Sequence, residues 1–251
     1  ALYISGSIII FFLSLDQLTG SISSAVSINF ISLWIISLII LFLGLWDDVK
    51  PLPFSIRLII QIFASWLVIV ITDIYLRDLG NLFGLGNIYI GQLGIPITIF
   101  MVVGVCNAFN MLDGMDGLVG FVVLITITGI SMIAFYQNIV GPLFIGTILI
   151  TTFLFFNLGL LKSRWKIFLG DSGSMWMGFI VAWLLVFITQ QNENLFPPVT
   201  ALWLILLPLI DALSTFLSRL WNRKSMFLGD RTHIHHLLLD RGLKKWKVLL
   251  I

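Results

Sequence analysis

The chain has 251 residues, of which 59% are hydrophobic and only 10% are charged, and its mean hydropathy is +1.08. Soluble domains carry about 25% charged residues, so this chain has too little polar surface to coat a water-soluble globule. The composition excludes a soluble globular domain and indicates a protein of the lipid bilayer. The net charge of +2 is uninformative by itself, and no nucleic-acid partner is expected.

The long apolar runs determine the predicted fold class. In hydrocarbon, each backbone N–H and C=O group must be paired within its own helix or within a closed barrel. Because the strands of a membrane barrel alternate apolar and polar residues, the continuous apolar runs argue against a barrel. We therefore predict an all-α, polytopic transmembrane helix bundle that forms a single domain, residues 1–251.

Nine apolar segments are predicted along the chain. A helix needs about 20 residues to cross the ~30 Å hydrocarbon core, and several segments are shorter, so their flanks would complete the crossing. We interpret the first and last segments as clipped, and the sequence, which begins at Ala1, as a piece of a longer protein. The predicted segments are residues 1–15, 28–45, 56–72, 95–109, 117–136, 139–161, 175–189 and 199–218, with the ninth beginning near residue 248.

The loops between these segments fall into two sets on alternate sides of the membrane. One set contains 13 of the 14 Lys and Arg residues and every histidine, whereas Arg77 is the one basic residue of the other set. Under the positive-inside rule, the basic set is cytoplasmic, so we expect the functional site in a cleft on the cytoplasmic side. The basic set is residues 46–57, 110–116, 162–174 and 219–247, and the other set is residues 16–27, 73–94, 137–138 and 190–198.

The first acidic motif, WDD at residues 46–48, ends the second apolar segment. Two adjacent carboxylates, those of Asp47 and Asp48, repel each other, and a cation between them would explain their place at a membrane boundary. An exposed pair at the end of a helix explains the motif equally well. Both interpretations stay open at this point.

The second motif, NAFNMLDGMDGL, covers residues 107–118. Asn107, Asn110 and Asp113 recur every three residues, which places them along one face if the helix continues that far. The two Asp-Gly steps, at Asp113 and Asp116, permit a tight turn and close approach of the backbone to a ligand. A structural turn capped by Asp is the alternative. A calcium loop is not indicated, because the later bidentate Glu is missing.

The third motif is FLGDSGS at residues 168–174, just before the next apolar segment. Asp171 and Ser172 lie where the N-cap of a helix belongs, and capping explains them structurally. The start of a helix also offers free N–H groups that suit a phosphate. The sequence alone leaves both roles open.

The fourth motif, DRTHIHH at residues 230–236, contains all three histidines of the chain. If this segment is helical, His233 and His236 share a face. A zinc site would need further ligands from carboxylates, and a surface cluster is a second alternative. We favour binding of an anionic substrate by His233, His235 and His236 together with Arg231.

Two residues within apolar segments require separate interpretation. Asp211 follows Pro208 inside an apolar helix, where an acid is costly, and a functional and a structural role explain it equally well. Cys106, the single cysteine, cannot form an internal disulfide and is interpreted as a structural residue in a packed helix.

In this order, the four motifs WDD, NAFNMLDGMDGL, FLGDSGS and DRTHIHH resemble those of the polyprenyl-phosphate N-acetylhexosamine-1-phosphate transferase superfamily, also called glycosyltransferase family 4. The HIHH form is similar to the WecA type, the branch that transfers GlcNAc-1-phosphate from UDP-GlcNAc to undecaprenyl phosphate. The resemblance covers nearly all of the chain. It implies a multi-pass protein of the bacterial inner membrane with a cytoplasmic active site, and it leaves a homodimer open.

The resemblance also implies a divalent cation, Mg²⁺ with Mn²⁺ as an alternative, which suits all-oxygen ligands and bridges phosphates. Asp171 is then the expected direct ligand and Asn110 a second one. Asp47 and Asp48 resemble the pair beside the metal, and Asp47 resembles the residue proposed to deprotonate the lipid phosphate. Since a phosphomonoester is mostly ionised at pH 7, it needs little help from a base.

The remaining motif residues correspond to the substrate pocket of the family. Phe168 occupies the position that stacks on uracil, and Asp113 and Asp116 belong to the nucleotide-sugar pocket. Asn107 is expected to bind substrate as well. By the same resemblance, Arg231 and the catalytic residues His233, His235 and His236 would contact the phosphates.

Two departures and two rival functions accompany the resemblance. Relatives have an additional helix and a basic loop before the position of Ala1, and further helices after Ile251, so the chain is expected to lack both. One rival is the same reaction with another UDP-HexNAc donor or with the peptidoglycan precursor UDP-MurNAc-pentapeptide. The other is a membrane transporter, because transporters share an intramembrane acid such as Asp211 and a helix-breaking proline such as Pro208.

Overall fold

The computed structural model describes residues 24–81, 84, 86–135, 141–160, 163–190, 197–222 and 233–250. The predicted segment 1–15, the predicted loop 137–138 and Arg231 lie outside these ranges. The described α-helices are α1 (Ser24–Val49), α2 (Phe54–Thr72), α3 (Gly94–Leu112), α4 (Leu118–Phe135), α5 (Gly141–Asn157), α6 (Gly170–Gln190), α7 (Pro198–Leu204), α8 (Leu206–Trp221), α9 (Ile234–Asp240) and α10 (Lys245–Leu250).

The helical fold class predicted from the sequence is confirmed. Short 3₁₀ turns at Gly91–Leu93 and Ser163–Trp165 complete the helical structure. Within the described ranges, β-structure is limited to an isolated antiparallel bridge between Asp78 and Tyr89. Four described helices are long and apolar enough to cross a membrane, and a fifth span is added if α7 and α8 are counted as one. The chain is therefore a multi-pass membrane protein.

Helix α6 lies at the centre of the bundle, because 89% of its span is buried inside the protein. It packs mainly against α1 and α3, and its buried side chains include Trp183, Phe179 and Phe187. Close approach of α3 depends on Gly178, where a β-carbon would lie 3.0 Å from Cα of Cys106. Cys106 is fully buried, with its Sγ 3.2 Å from the Met175 carbonyl oxygen, as expected of a structural cysteine.

The eighth predicted segment, 199–218, is not one straight helix. It breaks at Ile205 into α7 and α8, whose axes differ by 79°. Pro208 explains the break, because it has no N–H for the Leu204 carbonyl and its ring crowds that oxygen. The Thr126 hydroxyl of α4 donates to the Leu204 oxygen at 2.9 Å instead. This bond satisfies the released backbone group, as burial in an apolar bundle requires.

The described loops meet at two opposite ends of the bundle, and they sort as the alternation of sides predicts. At one end, Asp48 contacts the backbone of Asp171 across the start of α6. At the other end, Gln190 at the end of α6 accepts a hydrogen bond from the backbone N–H of Arg77. We call the first end the polar end, since the described parts of all four predicted motifs lie there.

Candidate active site

The polar end is built around the start of α6, which Asp48 of α1 caps. The Asp48 carboxylate accepts the N–H of Asp171 at 2.8 Å and the N–H of Ser172 at 3.2 Å. Gly44 permits this contact, because a β-carbon there would overlap the Ser172 backbone. A carboxylate at these orphan N–H groups also interacts favourably with the helix dipole. The capping role that the sequence suggested for Asp171 or Ser172 therefore belongs to Asp48, from another helix.

Asp171 turns its side chain toward α3 instead. Its Oδ1 accepts a hydrogen bond of 2.8 Å from Nδ2 of Asn110, and the same amide group donates to Ser174 Oγ at 3.1 Å. Because the amide nitrogen serves both bonds, the Oδ1 atom of Asn110 is left as an acceptor. Asp48, Asn110 and Asp171, which are far apart in the sequence, are thus brought together at one point.

Asp47 faces α2 rather than Asp48. Its Oδ2 forms an ion pair of 2.7 Å with Arg57, and its Oδ1 accepts the Leu52 N–H at 2.6 Å. The Asp47 side chain is only 4% exposed, whereas Asp48 is exposed, so the two acids of the pair lie in different surroundings. These contacts fix the loop between α1 and α2. Sequence reasoning missed Arg57 as the partner of Asp47, although its place on the same side of the membrane was a signal.

Asn107 lies one turn deeper in α3 and is bonded internally. Its Nδ2 donates to Gln61 Oε1 at 2.7 Å and to the Val103 carbonyl at 2.8 Å. Gln61 is fully buried, so the pair satisfies polar groups inside the bundle. Asn110 therefore bonds Asp171 of α6, whereas Asn107 bonds Gln61 of α2. The substrate role of Asn107 stays a prediction.

The acidic loop between α3 and α4 carries Asp113 and Asp116. Burial of the Asp113 carboxyl, together with the charges of Asp171, Asp116 and Asp48, raises its pKa to about 7. Asp116 forms an ion pair of 2.7 Å with Lys166. The neighbouring acids therefore disfavour ionisation of Asp113, and a cation bound beside them would counteract this repulsion.

Asn157, at the end of α5, joins the acidic loop to the FLGDSGS segment. Its Oδ1 accepts the Gly117 N–H at 2.6 Å, and its Nδ2 donates to the Ile167 carbonyl at 2.8 Å. The residue is buried, and it fixes both motifs relative to each other. Sequence reasoning missed it, although a lone amide at the end of an apolar segment was a signal.

Phe168 differs from the aromatic residues of the core because 71% of its surface is exposed. The ammonium group of Lys166 lies 5.0 Å from the centre of its ring, within the range of a cation–π contact. The ring face and the lysine charge are therefore presented side by side. Lys166 was not singled out from the sequence, although it precedes Phe168 by only two positions.

The histidine motif begins with His233, which Asp211 of α8 holds in place. Asp211 Oδ2 lies 2.9 Å from His233 Nδ1, and Asp211 Oδ1 accepts the Ile234 N–H at 2.8 Å. His233 has an extended backbone and precedes α9. The condition under which His233 and His236 would share a helix face is therefore not met at His233. The rings in contact are His233 with His235, with centres 5.8 Å apart, and His235 with His236, 4.2 Å apart.

His235 packs against the acidic loop. Its side chain is nearly fully buried, and a β-carbon on Gly114 would overlap its imidazole ring. Burial, together with the neighbouring His236, lowers the pKa of His235 to about 4. His235 is thus neutral at pH 7, and the second and fourth motifs meet at Gly114.

The donor set of the polar end suits a hard divalent cation. Its candidate ligands are carboxylate and amide oxygens, which Mg²⁺ prefers, and the repulsion among the acids near Asp113 would be counteracted by such an ion. The residues that the structure describes contain no group of three or more His, Cys, Asp or Glu side chains that could hold a metal ion by themselves. This arrangement fits Mg²⁺, which is often bound by one or two carboxylates together with substrate phosphates.

An apolar cavity of about 240 Å³ lies away from these groups. It is lined by α3, α6 and α7, and its walls include Met101, Val186 and Leu202. Because Thr189 and Pro198 also line it, the cavity lies toward the end of the bundle opposite the acids. Its walls offer shape and apolar surface but no group for catalysis.

The fold and the polar end together define a multi-pass membrane protein with an acidic, oxygen-rich site at one end of its helices. The sequence profile of glycosyl transferase family 4 matches residues 30–189, more than half of the chain. The protein belongs to this family.

Individual relatives match over a similar range. The chain is 37% identical over 207 residues to a protein of Escherichia coli (strain K12), 36% identical over 207 residues to one of Salmonella typhi, and 32% identical over 217 residues to one of Haemophilus influenzae. Each relative is named undecaprenyl-phosphate alpha-N-acetylglucosaminyl 1-phosphate transferase. The matches cover 81%, 81% and 85% of this chain but only 56%, 56% and 61% of the relatives.

Proposed function

We propose that this protein transfers GlcNAc-1-phosphate from UDP-GlcNAc to undecaprenyl phosphate, releasing UMP, at its polar end on the cytoplasmic side of a bacterial inner membrane. Family membership and the names of the relatives support the reaction. The observation that carries the proposal is the linkage of Asp48, Asn110 and Asp171, beside the acidic loop and the histidines. A reaction between two phosphate substrates needs this concentration of metal-binding oxygens.

The chemistry is a phosphoryl transfer. An oxygen of the lipid phosphate attacks the sugar-bearing phosphorus of UDP-GlcNAc, a new P–O bond forms, and the bond to the UMP oxygen breaks as UMP leaves with its electron pair. The lipid phosphate is mostly ionised at pH 7, so a strong base is not required. Since both Asp47 oxygens are engaged by Arg57 and Leu52, the contacts of Asp47 support a role in holding the α1–α2 connection.

Asp171 and the free Oδ1 of Asn110 would hold Mg²⁺, with Asp48 alongside and Mn²⁺ as an alternative ion. Bound there, the ion supplies charge neutralisation for the phosphates of both substrates. Asp48 contributes without the metal as well, because its bonds to α6 fix where Asp171 stands. Asp113 and Asp116 would then face the sugar nucleotide.

The nucleotide is proposed to bind where Phe168 and Lys166 lie side by side. The exposed Phe168 ring offers a face on which uracil can stack. Lys166 supplies a positive charge near the ring, and its ion pair with Asp116 holds its stem in place. This arrangement supports a uridine nucleotide as donor without distinguishing the sugar.

The histidines are proposed to meet the phosphates. His235 is buried and neutral, so it serves best as a packing contact to Gly114 that fixes the motif. His233 and His236 are then the candidates for donating hydrogen bonds to phosphate oxygens, assisted by Arg231.

A transporter is less well supported. That function requires the intramembrane acid to face a substrate path near the middle of the bilayer. Asp211 is instead 1% exposed and bonded to His233 at the polar end. The feature that suggested transport therefore belongs to the proposed active site.

UMP release tests the proposal. Purified protein is given UDP-GlcNAc and undecaprenyl phosphate, and UMP is measured with Mg²⁺, with EDTA, and with Mg²⁺ restored after EDTA. We expect UMP only when acceptor and Mg²⁺ are both present. Omission of the acceptor is the control for simple hydrolysis of the donor.

Parallel assays separate the rivals. UMP release with another UDP-HexNAc or with UDP-MurNAc-pentapeptide, but not with UDP-GlcNAc, would overturn the choice of donor. Uptake of labelled solute into proteoliposomes, without Mg²⁺-dependent UMP release from any donor, would favour the transporter.

A further inference from the structure

Asp211 and His233 form a buried acid–imidazole pair. Asp211, Thr215 and His233 are 1%, 2% and 6% exposed, respectively. The acid lies in α8, whereas the histidine opens α9, so the contact is made between two separate elements. An ionisable pair in such a place is costly unless its hydrogen bonds are well formed.

The geometry leaves the pair little freedom. One Asp211 oxygen is 2.9 Å from His233 Nδ1, and the other accepts the N–H of Ile234, the residue after the histidine. Thr215, one turn further along α8, places its hydroxyl 3.4 Å from the same Nδ1 atom. Both carboxylate oxygens therefore hold one short stretch of chain, which fixes the ring and the backbone together.

The place of the pair connects it to the proposed site. The ring of His233 stacks on that of His235 at an angle of 7°, and His235 in turn contacts Gly114 of the acidic loop. A change at Asp211 would therefore alter the position of the histidines relative to Asp113 and Asp116.

We propose that Asp211 is a positioning residue, which holds His233 with a proton on Nδ1 and leaves Nε2 to interact with a phosphate oxygen of the substrates. The inference rests on the proposed function only for the identity of that phosphate. The carboxylate accepts from Nδ1–H and so determines the tautomer, in the way that a carboxylate orients a catalytic or metal-bound histidine.

Within the described residues, the side-chain hydrogen bonds and ring contacts of His233 join it to Asp211 and Thr215 of α8 and to His235 of α9. Of these three partners, Asp211 is the one with a carboxylate that can accept from Nδ1–H.

Nitrogen-15 NMR of histidine-labelled protein tests the tautomer without any activity assay. The chain has three histidines, so His235→Gln and His236→Gln leave the His233 resonances to be assigned by elimination. In the unmodified protein we expect neutral His233 to carry its proton on Nδ1. A proton on Nε2 would overturn the inference, and this outcome requires no Asp211 variant to fold.

Asp211→Asn then tests the hydrogen-bond partner. The amide can donate from its nitrogen as well as accept at its oxygen, so the variant should raise the fraction of neutral His233 that carries its proton on Nε2. Ser214→Ala is the matched control, because Ser214 is exposed on the same helix and bonds only the Asp211 backbone oxygen. An unchanged tautomer of His233 in Asp211→Asn would contradict the proposal.

Kinetics complete the test. We expect Asp211→Asn to lower kcat/KM by about 10–100-fold. In a His233→Ala background, Asp211→Asn should lower kcat/KM little further, because the two residues act as a unit. Equal losses with and without His233 would contradict the pairing. If the unmodified protein releases no UMP yet the NMR results hold, the proposed function fails and the positioning inference stands.

Discussion

Asp113 is a carboxyl group whose ionisation is strongly changed by its surroundings. Its pKa is raised from 3.8 to about 7, first by burial and then by the charges of Asp171, Asp116 and Asp48. Between these two pH values the folded protein binds more protons at Asp113 than the unfolded chain does. Stability therefore falls as pH rises through this window, and the penalty is fully present above pH 7.

Asp113→Asn should remove that penalty. In EDTA, we expect the variant to gain thermal stability relative to the unmodified protein at pH 8, with a smaller gain at pH 5. Differential scanning fluorimetry in detergent measures both values. Mg²⁺ should reduce the gain at pH 8, because a bound cation neutralises the same charge. A gain that is identical at the two pH values would show that ionisation of Asp113 is not the cause.

At this scale, the sequence predicted which residue types belong to the site but not how they pair. The three-residue spacing in NAFNMLD predicted a shared face for Asn107, Asn110 and Asp113 if the helix continued that far, but α3 ends at Leu112. The spacing could not show that Asn107 bonds Gln61 or that Asp48 rather than Asp171 caps α6. These pairings depend on the packing of helices that are distant in sequence, and periodicity within one helix carries no information about its neighbours.

Helix α6 is the element on which the site depends, and α1 reaches it only because residue 44 is Gly. Gly44→Ala would place a methyl group against the Ser172 backbone, which cannot move aside as a flexible side chain can. We expect the variant to lose about 1–3 kcal/mol of stability and to lose UMP release, because Asp48 is moved off α6. Thermal unfolding and UMP release measure the two effects.

Gly104→Ala is the matched control for Gly44→Ala. It also lies inside a helix, α3, but nothing lies within 4 Å of the position of its β-carbon. Alanine should be neutral there or stabilise the helix by up to ~1 kcal/mol. If both substitutions behaved alike, close packing of α1 on α6 would not support the site.

The helices were predicted well in position and less well in shape. The predicted segment 175–189 begins five residues late, because the polar FLGDSGS motif was interpreted as a loop, whereas α6 begins at Gly170. The break between α7 and α8 was not foreseen as a sharp bend. Pro208 signalled a weak point in the helix. The sequence did not show that the Thr126 hydroxyl of α4 would bond the released Leu204 carbonyl.

On the scale of the whole molecule, the alternation of loop charge was the most informative property of the sequence. The described loops do meet at two opposite ends as this alternation requires. The acids and histidines of the four motifs lie at one end, and Arg77 lies at the other. Topology follows from counting crossings, so it is predictable from composition. Three motifs meet at the start of α6, and the fourth reaches the acidic loop through His235 and Gly114. This convergence is a packing result, and only the resemblance of the motifs to a family indicated it.

The central claim is that Asp48, Asn110 and Asp171 form one site for a divalent ion and two phosphates. Mg²⁺-dependent UMP release by Asp171→Asn tests it most directly, with Asp48→Asn as a second variant. Asp73→Asn is the control, because Asp73 is an exposed acid at the opposite end of the bundle.

We predict that Asp171→Asn and Asp48→Asn each reduce UMP release by on the order of 100-fold or more and abolish its response to Mg²⁺. Asp73→Asn should keep the unmodified rate. Unchanged UMP release with an unchanged Mg²⁺ response in both site variants would contradict the account.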